Sequence, residues 1–262
     1  MEENGFTVEC LGHRIDIAVS GDDAGLLTAV AKQAWERCLV DSASPGPTHE
    51  IRVEVRVGAT ASRTISSVVA PSHEAAMEML SQSVTLAGVT ASAGGLLMLH
   101  AAGLADPDSG RTAVLVGPSG MGKSTATREL GREWAYVSDE TVAVTAAGTI
   151  VAYPKPLSLI DGGRWKRQAS PSSLSLLQAP PTLYPAIVVF LDRRPEGAGL
   201  IRKVPLTEAI ARAAEQSSFL GELDGPLQRI ASVVRRAGCV EVSYSETPQL
   251  HAALRELMGT SR

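Results

Sequence analysis

Asparagine is nearly absent from this chain of 262 residues, in which Asn4 is the one example. A GTPase needs an asparagine in the NKxD motif that reads its base. A protein kinase needs one in its catalytic loop to bind metal, so both classes are excluded. Cysteine is also scarce, and Cys10, Cys38 and Cys239 lie far apart without a CxxC spacing. Three scattered thiols predict neither a disulfide framework nor a zinc site, and they favour a reducing, cytoplasmic compartment.

Long apolar runs and an excess of positive charge are missing as well. No run reaches the roughly 18–20 residues that cross a bilayer, and the acidic start MEENGFTVEC lacks the features of a secretory signal. The formal net charge is −4, whereas a nucleic-acid-binding protein presents a basic surface. We therefore expect a cytoplasmic protein that binds neither a membrane nor a nucleic acid.

The hydrophobic pattern predicts an α/β protein with two parts. Residues 1–92 are predicted to form an N-terminal α+β domain. Its expected elements are strands over 6–10, 13–19 and 51–57, a helix that starts at Asp22-Asp23 and ends at Leu39, a loop over 41–49, and a helix over 72–92. Residues 93–262 are predicted to form a second domain that opens with a buried hairpin of strands 96–105 and 112–116.

Residues 117–124 match the phosphate-binding pattern G-x-x-x-x-G-K-[ST] in full. A buried strand precedes this loop and a helix follows it, which is the arrangement of an anion site at a helix N-terminus. Its glycines let backbone N–H groups turn inward, while Lys123 is expected to reach the β- and γ-phosphates and Ser124 to ligate Mg²⁺. The pattern predicts ATP and Mg²⁺ as ligands. The predicted nucleotide site comprises Gly117, Pro118, Ser119, Gly120, Met121, Gly122, Lys123, Ser124 and Thr125.

A second metal ligand is expected from a carboxylate at the end of a buried strand, and the sequence offers two candidates. Asp139 and Glu140 follow an apolar strand about fifteen residues after the P-loop lysine. Adjacent strand residues point in opposite directions, so one carboxylate could bind Mg²⁺ while the other faces an acceptor hydroxyl. Asp192 follows the apolar run 187–191 in the manner of a Walker B aspartate. We favour the Asp139–Glu140 pair.

The order of these parts resembles the catalytic core of HPr kinase/phosphorylase and its shorter homologues. The resemblance rests on Leu99-His100-Ala101-Ala102, the P-loop, and Val137-Ser138-Asp139-Glu140, about a fifth of the chain. It implies the P-loop fold shared with phosphoenolpyruvate carboxykinase, with His100 beside the phosphate site. It also implies that Asp139 is the general base or a metal-linked acid, and that Glu140 is its partner in Mg²⁺ binding. That family phosphorylates a serine hydroxyl and is often oligomeric, so a homo-oligomer is left open here.

The chain departs from that family at several positions. It has Asp139-Glu140 where two aspartates are usual, Ala101 where glycine is usual, and no downstream glycine- and arginine-rich signature. The resemblance therefore implies a phosphotransferase core without implying that HPr is the substrate. We expect an ATP- and Mg²⁺-dependent kinase that acts on a serine of a peptide or protein. Two alternatives stay open: a small-molecule kinase on the same core, and a nucleotide-gated interaction module with little transfer.

Overall fold

The structure, a computed structural model, describes residues 4–41, 48–196 and 198–259. Within these residues the chain is a mixed α/β protein. Its strands are β1 Gly5–Cys10, β2 His13–Gly21, β3 Thr48–Val55, β4 Ser62–Arg63, β5 Ser67–Ala70, β6 Leu97–Ala105, β7 Arg111–Val116, β8 Ala135–Ser138, β9 Thr141–Val144, β10 Ile150–Val151, β11 Leu157–Leu159, β12 Arg167–Ala169, β13 Leu177–Gln178, β14 Tyr184–Arg193, β15 Ala198–Lys203, β16 Ser217–Ser218 and β17 Cys239–Tyr244. Its α-helices are α1 Ala24–Ala34, α2 His73–Ala91, α3 Lys123–Leu130, α4 Leu206–Glu215, α5 Pro226–Ala237 and α6 Thr247–Met258, and short 3₁₀ helices cover Ser172–Leu174 and Leu220–Glu222.

The chain divides into two compact units, each made of two segments. Unit 1 comprises Met1–Ser92 and Tyr153–Leu174, and unit 2 comprises Ala93–Ala152 and Ser175–Arg262. The division predicted from sequence placed 153–174 in the second domain, which differs from the structure. This segment belongs to unit 1 because it bonds to α2: the hydroxyls of Thr85 and Tyr153 lie 3.0 Å apart, and the Lys166 N–H donates to Glu78 Oε2 at 2.7 Å.

Unit 1 contains a five-stranded sheet in the order β1-β2-β3-β5-β4. Strand β3 forms because Ile51, Val53 and Val55 alternate with polar residues and are buried. Helix α2 begins where predicted, since the Ser72 hydroxyl accepts the Ala75 N–H.

The first helix of unit 1 is shorter than predicted. It ends at Ala34 rather than Leu39, because the chain turns there and the Cys38 N–H donates to the Trp35 carbonyl at 2.8 Å. The predicted loop over 41–49 differs too: residues 42–47 lie outside the described part of the chain, and β3 already begins at Thr48.

Unit 2 is built on a sheet whose main path is β10-β9-β6-β7-β14-β17-β15. Strands β6 and β7 form the predicted antiparallel hairpin, and β8 and β9 both run antiparallel to β6. Strands β7, β14 and β17 are parallel to one another, so their carboxyl ends lie along the same edge of the sheet. Ligand sites of open α/β sheets form at that edge.

Helices cover both faces of this sheet, which explains why the central parallel strands β7 and β14 contain continuous apolar runs. Alternate strand residues pack with α4 and α5 on one face, as Val114 and Phe190 do. Their neighbours Leu115 and Val189 pack with α3 and α6 on the other face. Among the described residues, no helix combines the length and the apolar character that crossing a membrane would take.

Candidate functional site

The P-loop connects the end of β7 to the start of α3, as the sequence predicts. Its base at Gly117 is buried, while residues 118–120 are exposed. Gly120 and Gly122 have φ values of 87° and 88°, a left-handed conformation that a side chain would strain. Gly122 is also the N-cap of α3, and no side chain caps that helix end. The first N–H groups of α3 are therefore free of a side-chain cap, as an anion site at a helix N-terminus requires.

Lys123 lies inside this loop and not on the protein surface. Its residue is 6% exposed, and its Nζ donates to the carbonyl oxygens of Gly117 and, at 3.1 Å, of Pro118. Burial lowers the pKa of Lys123 to about 8, although the negative charges of Asp139 and Glu140 act in the opposite direction. The loop thus holds a cation whose charge is marginal at slightly alkaline pH.

Asp139 contacts the P-loop directly. Its Oδ2 accepts a hydrogen bond from the Ser124 hydroxyl at 2.9 Å, and its Oδ1 accepts one from the Tyr136 hydroxyl at 3.3 Å. Asp139 is only 4% exposed, so both oxygens are held in place from within the protein. A hydroxyl and a carboxylate oxygen thus meet at the start of α3, and these are hard oxygen ligands of the kind that Mg²⁺ prefers.

The two acidic residues follow the end of strand β8, as the sequence predicts, and lie in a short break before β9. Strand β8 stops at Ser138 and β9 resumes at Thr141, with both paired to β6. The Ser138 hydroxyl accepts the N–H groups of Glu140 and Thr141 at 3.3 and 3.2 Å, and the Glu140 carbonyl accepts the Ala101 N–H at 3.1 Å. Such an interruption redirects side chains out of the regular alternation of a strand.

His100 lies on β6 close to the same groups. Burial and the positive charge of Lys123 lower its pKa from the ordinary value, whereas Glu140 acts in the opposite direction through its charge and a backbone hydrogen bond. The imidazole is consequently uncharged at neutral pH. Its backbone N–H donates to the carbonyl of Gln216 at 2.7 Å, which places the end of α4 beside it. His100 and Glu140 are both only partly buried.

Asp192, the alternative carboxylate, has other partners. It lies near the end of β14, where its Oδ2 accepts a hydrogen bond from the Ser243 hydroxyl at 2.5 Å. The same oxygen forms an ion pair with Arg194. Arg194 holds the pKa of this carboxyl below its ordinary value, and Ser243 adds to the effect. The contact with Ser124 belongs to Asp139, so the geometry favours the Asp139–Glu140 pair that the sequence analysis preferred.

The site suits a metal ion that arrives with phosphate better than a metal ion alone. Across the described residues, no group of three or more His, Cys, Asp and Glu side chains could hold a metal. Magnesium, however, commonly takes one or two protein oxygens and completes its shell with phosphate oxygens and water. Ser124 and Asp139 can supply those two oxygens. Thr125, the remaining residue of the predicted set, is exposed on the first turn of α3.

Two residues at this site had no local signal in the sequence. The Tyr244 hydroxyl, at the end of β17, donates to the Met121 carbonyl of the P-loop at 2.5 Å. The Arg193 side chain, at the end of β14, lies next to Gly122. Both positions are distant in sequence from the loop, and only the parallel pairing of β7, β14 and β17 brings them to it.

The comparisons with known proteins leave this site without a family. No family model matches the chain, and no curated protein matches it either.

Proposed function

We propose that the chain is an ATP- and Mg²⁺-dependent kinase that transfers the γ-phosphoryl group to a hydroxyl, with a serine of a peptide or protein as the acceptor. The observation that carries this proposal is the 2.9 Å hydrogen bond between Ser124 at the start of α3 and Asp139 in the β8–β9 break. It joins a phosphate loop to a buried carboxylate. The resemblance to the HPr kinase core supports a serine acceptor and the corresponding P-loop kinase fold.

Each P-loop residue has a role that follows from its position. Backbone N–H groups of 117–124 bind phosphate oxygens, and the ammonium of Lys123 neutralises charge on the β- and γ-phosphates. Ser124 and Asp139 would hold Mg²⁺, which supplies charge neutralisation on the phosphates when it is bound. Tyr136 fixes the second oxygen of Asp139 and so keeps the first directed at Ser124. Positioning and charge neutralisation carry most of the catalysis in phosphoryl transfer.

The contacts of Asp139 support a proposal of different roles for the two carboxylates. Both oxygens of Asp139 accept hydrogen bonds, whereas Glu140 is less buried than Asp139 and lies near His100. We therefore give Glu140 the role of general base. In the transfer, the acceptor oxygen forms a bond to the γ-phosphorus while the bond from that phosphorus to the β–γ bridging oxygen breaks. The acceptor proton passes to the Glu140 carboxylate, and ADP leaves with the bridging oxygen. His100 lies close to Glu140 and can hydrogen-bond the acceptor hydroxyl.

The test is transfer of label from γ-³²P-ATP with Mg²⁺ to peptide and small-molecule fractions of an extract from the source organism. Wild type is compared with Asp139→Asn and with Asp192→Asn, which makes the same change near the end of β14. We expect Asp139→Asn to lower transfer by about 100-fold or more and Asp192→Asn to leave it near the wild-type rate. The reverse pattern would transfer the metal role to Asp192.

The identity of the labelled product separates the remaining readings. Label on a peptide serine supports the proposal. Label on a small molecule would show that the protein is a kinase whose acceptor is a small molecule and not a peptide. Tight binding of MgATP without a labelled product in any fraction would indicate a nucleotide-gated interaction module. In that case Lys123→Ala would abolish partner binding while Asp139→Asn would leave it intact.

A further inference from the structure

Tyr244 ties the last strand of unit 2 to the P-loop. It is 2% exposed, and its ring packs in the core between the sheet and helices α3 and α6, near Leu191. Its hydroxyl donates to the carbonyl of Met121 at 2.5 Å. The fit is close, because a Cβ added to Gly122 would lie 3.0 Å from that hydroxyl.

The hydrogen bond to the Met121 carbonyl also fixes the direction of the Gly122 N–H, because both groups belong to one peptide bond. A trans peptide is planar, and its C=O and N–H groups point in opposite directions. With the Met121 carbonyl fixed toward the Tyr244 ring, the Gly122 N–H must face the other way. Among the described residues, this N–H has no hydrogen-bond partner within the protein. A donor that is oriented but unpaired at the start of α3 is suited to a phosphate oxygen.

The environment of Tyr244 keeps its hydroxyl a donor. Burial raises the pKa of the phenol, while the positive charge of Arg193 acts in the opposite direction. The phenol therefore carries its proton through the physiological pH range, so the hydrogen bond to Met121 persists.

We infer that Tyr244 is a positioning residue of the phosphate site, whose hydroxyl holds the Met121 carbonyl so that the Gly122 N–H donates to a phosphate oxygen of the bound nucleotide. The inference rests on the proposed nucleotide site and adds to it a residue 122 positions beyond Gly122 in sequence. In this proposal the Tyr244 hydroxyl acts on nucleotide binding only through the Met121–Gly122 peptide group, to which it is hydrogen-bonded.

The test measures the Kd of MgATP by calorimetry for wild type, Tyr244→Phe and Tyr153→Phe. The control removes the hydroxyl of another buried tyrosine, whose bond to Thr85 lies in unit 1. We expect Tyr244→Phe to raise the Kd about three- to tenfold, the loss of roughly one net hydrogen bond. Tyr153→Phe should lower thermal stability but leave the Kd unchanged. The amide NMR signal of Gly122 should shift on MgATP binding in wild type and much less in Tyr244→Phe.

A Kd for Tyr244→Phe within the error of wild type, with an unchanged Gly122 amide response, would overturn the inference while leaving the nucleotide site in place. A wild-type chain that binds no MgATP would overturn both. If Tyr244→Phe does not fold, difluorotyrosine at position 244 provides the second variant, because its phenol is a stronger donor of nearly the same shape. It should tighten MgATP binding at pH 6, and an unchanged Kd would count against the inference.

Discussion

The affinity of the site for nucleotide should fall as the pH rises through about 8. Burial lowers the pKa of Lys123 to about 8, well below its usual value. In the free protein the side chain is therefore mostly protonated at about pH 7 and mostly deprotonated at about pH 9. Bound phosphates favour the charged form and raise that pKa. Binding above pH 8 must therefore include the uptake of a proton, whereas binding below about pH 7 does not.

The size of this effect follows from the fraction of Lys123 that is charged. With a pKa of about 8, that fraction is about 90% at pH 7 and about 10% at pH 9. The Kd of MgADP should accordingly rise about tenfold between these two values, equivalent to about 1.4 kcal/mol. The nucleotide adds little to the trend, because the second ionisation of a phosphate lies near pH 6.

The assay is a titration with MgADP from pH 6.5 to 9.5 at constant ionic strength. Lys123→Arg is the matched control, since an arginine stays charged across this range. We expect this variant to bind more weakly than wild type at pH 7 but with little dependence on pH. A wild-type Kd that is constant between pH 7 and 9 would refute the reasoning from burial, and it would mean that the ammonium is better hydrated than its 6% exposure indicates.

Two further substitutions test other parts of the structure. Tyr136→Phe removes the hydrogen bond to Asp139 Oδ1, so we expect transfer to slow about three- to tenfold with little change in the Kd of MgATP, as measured by initial rates and calorimetry. A Kd that rises as much as the rate falls would argue against an orienting role. Ser72→Ala removes the N-cap of α2 and should lower the free energy of unfolding by about 1 kcal/mol in urea titrations, whereas Ser72→Asp should retain the cap and most of the stability.

Features of the fold that depend on short segments could be predicted from the sequence. The β6–β7 hairpin, the P-loop and the start of α2 each follow from apolar periodicity, from glycine spacing or from a capping residue within a few positions. The contact between Ser124 and Asp139 also belongs here, because one helix and one strand separate the two residues. The sequence also placed Asp139 and Glu140 directly after the strand defined here as β8, whereas their catalytic and metal-binding roles stay predictions.

The features that escaped prediction depend on pairing between distant segments. Strand β15 joins the sheet edge antiparallel to β17 at a register shift near Leu200, and nothing within its own six residues indicates that partner. The return of Tyr153–Leu174 to unit 1 depends on hydrogen bonds to α2, more than sixty residues earlier in the chain. Local sequence patterns specify helices and strands, whereas the strand with which each strand pairs depends on burial over the whole sheet.

The parallel strands explain why the site needs residues from the whole of unit 2. Strand β7 delivers the P-loop, β14 delivers Arg193 and β17 delivers Tyr244, and all three meet at the carboxyl edge of one sheet. On the opposite side of β7, antiparallel β6 carries His100. Strands β8 and β9 pair with β6, and the break between them carries Asp139. A phosphate loop alone can bind an anion, but the carboxylate and imidazole come from the other flank of the sheet. Residues from both flanks of β7 thus contribute to the kinase site that we propose.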